Sequence, residues 1–99
     1  MEIFKLEIII ANTFLQELIN KLEAIGVQGY TALAITRGKG IKRGENFSEG
    51  LLPTTRNTLV FAVGNKNLTD KAIEHIQPYL NEVGGALMAY KLDYASGLS

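Results

Sequence analysis

Ile3-Phe4-Lys5-Leu6-Glu7-Ile8-Ile9-Ile10-Ala11 is an apolar run broken only by Lys5 and Glu7, and at Asn12-Thr13 it gives way to a different period. Nine residues of this kind suit a central strand. Beyond them Leu15, Leu18, Ile19, Leu22 and Ile25 recur three and four apart, which predicts an amphipathic helix ending at Gly26. Thr13 and Gln16 have the spacing of a capping box at its start. Working outward, Val27 to Thr36 is rich in β-favouring residues and predicts a second strand ending near Arg37, and Thr55 to Val63 alternates as a third. Leu68, Ala72, Ile73, Ile76 and Leu80 form a second helical stripe, which Pro78 should end or kink. Gly84-Gly85 then turns into a last strand, Ala86 to Leu92. The order is β-α-β-β-α-β, the split arrangement of an α+β, ferredoxin-like fold: a four-stranded antiparallel sheet with two helices on one face.

The first strand carries a second message. Apolar side chains stand at both parities, as in Ile8, Ile9 and Ile10, so the face of the sheet away from the helices is apolar as well. Either the run only strengthens a central strand, or a second copy of the chain covers that face. Size and composition agree with a small folded unit: 99 residues, 46% hydrophobic and 20% charged, leave room for one domain over residues 1–99. Ten basic and ten acidic side chains balance, so any anion site must come from a local cluster. The absence of cysteine excludes disulfides, thiolate metal sites and cysteine nucleophiles, and fits a cytoplasmic setting. The start, Met1-Glu2-Ile3-Phe4-Lys5-Leu6, reads as neither a signal peptide nor a membrane span.

The local cluster lies between the second and third strands. Residues 38 to 54 have no period, and a connection this long is uncommon in a compact domain unless it is functional or disordered. Its base sets Arg37, Lys39, Lys42 and Arg43 among Gly38, Gly40 and Gly44, which lets a ligand approach the backbone within a field of positive charge. Phosphate or another small anion is the natural guest. A solvated loop with incidental charge is the competing reading, because neither the Walker nor the dinucleotide-binding fingerprint is present.

Taken together, Gly29-x-Thr31 near the start of the second strand, Arg37-Gly38-Lys39-Gly40, a long loop closed by Leu52-Pro53 and the Gly84-Gly85 turn resemble the PII signalling family over nearly the whole chain. That resemblance implies a homotrimer, with a T-loop over about 38–54 and a B-loop over about 82–86. It also implies an adenine nucleotide in each cleft between neighbours, held by Gly29, Tyr30, Thr31, Arg37, Gly38, Gly40, Gly84, Gly85 and Ala86, with Arg56 where the family often has lysine. No cofactor is implied. The departures are informative. Lys42 stands at the position of the family's magnesium-binding glutamine, and a cation does not ligate a cation. Residues 38 to 54 contain no tyrosine, the usual uridylylation target, and Ala86 to Ala89 is neutral where a basic residue is expected. These losses resemble the divergent carboxysome-associated and bicarbonate-transporter-associated branches. They imply a sensor of ADP or AMP in preference to ATP, with bicarbonate as a second ligand. Such a protein controls a partner such as a transporter or carbon-uptake component through its T-loop, and meets a membrane only through that partner. Lys42 and Arg43 are the candidates for the small anion, since a guanidinium can hold a planar carboxylate-like anion through two parallel hydrogen bonds.

Other functions fit less well. His75, the only histidine, falls on the polar flank of the second helix, and Glu17, Glu23, Asp70 and Glu74 are expected to face water, with Asp70 and Glu74 suited to the first turns of their helix. Ser48 has no base nearby, so an enzyme is not expected. An RNA-binding RRM module shares the strand order and would use aromatics such as Tyr30, Phe61 and Tyr90. Its RNP pattern is missing from Thr55 to Val63 and the net charge is zero, so no nucleic-acid partner is expected. With one histidine and no cysteine, soft-metal binding is not expected either.

Overall fold

The structure, a computed structural model, describes residues 2–36 and 56–97. The element order is β1 (Ile3–Ala11), a 3-10 turn (Asn12–Phe14), α1 (Leu15–Ala24), β2 (Thr31–Ile35), β3 (Asn57–Gly64), α2 (Lys66–His75), α3 (Gln77–Val83) and β4 (Ala86–Leu92). The four strands form one sheet in the order β2-β3-β1-β4, and every neighbouring pair is antiparallel. This is the expected ferredoxin-like arrangement.

The register explains why β1 is central. It pairs with β3 from Phe4↔Gly64 to Ala11↔Asn57, and with β4 from Ile3↔Leu92 to Ile9↔Ala86. Its even-numbered side chains, Leu6, Ile8 and Ile10, are buried and pack with Val60 and Ala62 of β3 beneath the helices. Leu18 and Leu22 of α1, Ala72 of α2, Ile76, and Leu80 of α3 close this core from above. Each fully buried Leu or Ile contributes roughly 1.5 to 3 kcal/mol relative to exposure.

Several local expectations give way to tertiary constraints. The Thr13–Gln16 capping box does not form, and no side chain caps α1. Asn12 instead accepts a hydrogen bond from the Thr58 hydroxyl, while its own N–H donates to the Arg56 carbonyl at 2.8 Å. The turn after β1 is thereby fixed to the entry of β3. The second helix is two segments hinged at Ile76. Pro78 lies in the first turn of α3, where a missing N–H costs nothing, so it starts a helix instead of ending one. Asn65 caps α2 by accepting from the Leu68 N–H at 2.9 Å. Ile73, expected in the apolar stripe, faces outward, and Asp70 lies beyond the first turn of α2, where it pairs with Lys66 at 3.2 Å.

At the far end of α3, Gly84 (φ +83°) receives the chain and Gly85 (φ +152°) aims it into β4. A Cβ on Gly85 would stand 2.9 Å from the Ile9 carbonyl oxygen, so only glycine brings the turn this close to β1.

Candidate functional site

The residues singled out from sequence fall into two groups, one at the start of edge strand β2 and the other around the opposite end of the sheet, where the chain enters β3 and edge strand β4. Thr31 opens edge strand β2, and Gly29 and Tyr30 lie in the irregular segment before it. Propensity starts the second strand at Val27, but pairing begins only at Thr31↔Phe61. Before that point the chain leaves its neighbour, and a cleft of about 430 Å³ opens between this segment and the end of β3. Gln28, Gly29, Tyr30, Thr31 and Phe61 line it, together with Gly97 from the C-terminal tail, and none of the described residues lining it is charged.

The second group surrounds the C-terminal end of β1. Ala86, the first residue of edge strand β4, pairs with Ile9, and Gly84 and Gly85 lie just before it. Arg56 is exposed immediately before β3, whose Asn57 pairs with Ala11. Arg37, Gly38, Gly40, Lys42 and Arg43, and with them the expected T-loop, lie outside the described residues. Thr36 and Arg56, which flank that segment in sequence, are both at this end of the sheet.

The two groups are not brought together within one chain. Ala86 is three strand spacings from β2, about 14 Å, and two residues, about 7 Å, further along the strand direction from Thr31. The sheet itself lies between them. Gln28, Phe61 and Gly97 are among the cleft residues that the sequence does not assign to this site. Gln28 is a direct neighbour of the Gly29-x-Thr31 pattern and could have been included, whereas the approach of the tail is a tertiary event with no local signal.

The face of the sheet away from the helices is largely apolar, around one ion pair. Leu33, Met88 and Tyr90 are between 41% and 49% exposed on it, with Ile9, Leu59 and Phe61 between them. At its centre Lys5 pairs with Glu7 at 3.2 Å, the Tyr90 hydroxyl donates to Glu7 Oε2 at 2.9 Å, and Lys5 Nζ lies 4.4 Å from the centre of the Phe61 ring. The hydrogen bond to Glu7 holds the Lys5 ammonium above the usual lysine range. An RRM-like surface is not what this face offers. Its aromatics are engaged by Lys5 and Glu7, a carboxylate occupies its centre, and Tyr30 lies off the strands.

Elsewhere the titratable groups are structural or solvated. His75 is on the surface, 3.5 Å from the Glu74 carboxylate. Glu17, expected to face water alone, also accepts a hydrogen bond from the Tyr79 hydroxyl at 2.8 Å. Among the described residues no group of three or more acidic or histidine side chains could hold a metal ion, and no helix is long and apolar enough to cross a membrane.

A family model described as nitrogen regulatory protein P-II matches residues 3–95. No curated protein sequence matches. Among solved structures, CPII from Thiomonas intermedia bound to ADP and bicarbonate is 25% identical, with a TM-score of 0.74 over 93% of this chain and 87% of that one. The same protein bound to ADP, AMP and bicarbonate is 21% identical, with a TM-score of 0.74 and the same coverage. The GlnK–ATP complex of B. subtilis is 19% identical, with a TM-score of 0.59 over 92% of this chain and 82% of that one.

Proposed function

Since the chain belongs to the nitrogen regulatory protein P-II family, we propose that it is a homotrimeric, cytoplasmic regulator that senses ADP or AMP at the boundary between subunits. One observation carries this reading: Gly29 to Thr31 lie at edge strand β2 and Gly84 to Ala86 at edge strand β4, on opposite edges of a sheet whose open face is largely apolar. Copies packed through that face can set the β2 edge of one subunit beside the β4 edge of the next, and so complete a site that a single chain divides. The uncharged cleft at Gly29 to Thr31 then takes the base. The Gly84-Gly85 turn and the cationic entry to the long loop take the phosphates, through backbone N–H groups and Arg37 and Arg56.

ADP or AMP is favoured over ATP because Ala86 and its neighbours supply no cation for an outer phosphate. Lys42 and Arg43 hold a second small anion, bicarbonate being the choice that matches the ligands of CPII from Thiomonas intermedia. The long loop then presents the bound state to a protein target, of which a membrane transporter or another carbon-uptake component is the best fit. The chain acts as a regulator and not as a catalyst.

Calorimetric titration of the full chain with AMP, ADP and ATP, each with and without bicarbonate, tests the reading. ADP or AMP should bind more tightly than magnesium ATP, and bicarbonate should tighten the nucleotide and be tightened by it equally. Binding of ATP ten times tighter than ADP, a difference of about 1.4 kcal/mol, would overturn the phosphate argument.

A further inference from the structure

The cleft at the β2 edge holds one side chain, Gln28, that the nucleotide reading does not use. None of the described residues lining it is charged, so its lining offers neutral donors and acceptors beside Tyr30. Gln28 supplies the only side-chain amide among them. The other two glutamines of the chain are engaged: Gln16 donates to Asn20 at 3.0 Å and Gln77 to Asn81 at 2.8 Å, each across one helical turn. Gln28 is exposed, and its amide has no hydrogen-bond partner among the described residues. A free amide at the wall of an uncharged cleft is placed for a ligand.

We propose that Gln28 reads the base of the nucleotide and selects adenine. An amide offers one acceptor and two donors side by side. The 6-amino group and N7 of adenine present a donor next to an acceptor, which a glutamine meets with two hydrogen bonds. Hypoxanthine and guanine present two acceptors on that edge, so the amide carbonyl would face an oxygen or nitrogen lone pair. Tyr30, whose ring Lys5 and Glu7 leave free, gives the flat base apolar surface without distinguishing one purine from another. The selection therefore rests on Gln28, while affinity is shared with the phosphate end of the site.

This inference rests on the nucleotide reading above, and its test separates the two. The full-length protein and the variant Gln28→Met, of similar side-chain length and without the amide, are titrated with ADP and with inosine diphosphate, and their melting temperatures are compared. The unmodified protein should prefer ADP by about tenfold, the loss typical of one mismatched two-bond contact. In Gln28→Met the preference should vanish through weaker ADP binding, with inosine diphosphate and the melting temperature unchanged because the side chain is exposed and unpaired. A variant that keeps the full preference, or an unmodified protein that binds both diphosphates alike, overturns the role of Gln28 and leaves the nucleotide reading standing. If the unmodified protein binds neither diphosphate, the nucleotide reading fails and this inference with it.

Discussion

Two glycines of the candidate site are present for different reasons. Gly85 is demanded by the fold: its φ of +152° strains any L side chain, and a Cβ there would press on the Ile9 carbonyl oxygen. Gly29 is under neither constraint, since its backbone is not in the positive-φ region and a methyl group added there would meet nothing within 4 Å. The chain alone would tolerate alanine there. Gly85→Ala should therefore lower stability by roughly 1 to 3 kcal/mol, whether or not nucleotide is present. Gly29→Ala should melt as the unmodified protein does while losing nucleotide affinity, because a ligand or a neighbouring subunit approaches its bare backbone. Thermal melts paired with ADP titrations decide this. A Gly29→Ala variant that is destabilised with its affinity intact would make that glycine structural too.

At the scale of elements, the sequence makes legible whatever local chemistry determines. Ala86 to Leu92 is delimited correctly because Gly84-Gly85 precedes it and Asp93 follows, and the buried stripe of Leu18, Ile19 and Leu22 follows from helical spacing alone. The start of β2 differs by four residues because β propensity at Val27 to Tyr30 cannot reveal that this segment lies off β3, which continues in the sheet to Gly64. The cleft exists because that pairing is absent. The site is legible to the same degree: Gly29 to Thr31 and Gly84 to Ala86 can be nominated from their residues, but only the strand order places them on opposite edges. The docking of α3 on α1 is equally hidden. Tyr79 is buried, donates to Glu17 at 2.8 Å and carries Lys21 Nζ 4.8 Å from its ring centre. Burial first, and then the hydrogen bond to Glu17, push its phenol well above the usual tyrosine range. The folded state thus holds a proton that the unfolded chain releases near pH 10. The resulting stability is complete below about pH 10 and is lost progressively as pH rises beyond it toward the folded-state value. Tyr79→Phe should cost about 1 kcal/mol at neutral pH through the lost hydrogen bond, and should flatten the alkaline decline in melting temperature. An equally steep decline in the variant would show that another group governs it.

For the whole molecule the decisive feature is the open sheet face, because the proposed assembly and the proposed nucleotide site both depend on it. Leu33 is 49% exposed near the middle of edge strand β2, and its paired neighbour Leu59 continues the apolar surface toward Ile9. In an isolated chain a glutamate at position 33 would still reach water and cost little. Pressed against a second copy it would lose that water without a partner, a penalty of roughly several kcal/mol per site. Ile73 provides the control, since it is 51% exposed but lies on α2, on the helix side of the sheet. Leu33→Glu should therefore lower the mass seen by light scattering from three times the 10.8 kDa chain to a single chain, while Ile73→Glu stays trimeric. The melting temperature of the unmodified protein should rise with protein concentration, as it does when folding is coupled to association. The same substitution should abolish ADP binding although residue 33 belongs to neither group of site residues, because separated chains hold only half a site each. A Leu33→Glu protein that remained trimeric would place the subunit contact elsewhere, and one that became monomeric yet bound ADP normally would place the whole nucleotide site within a single chain.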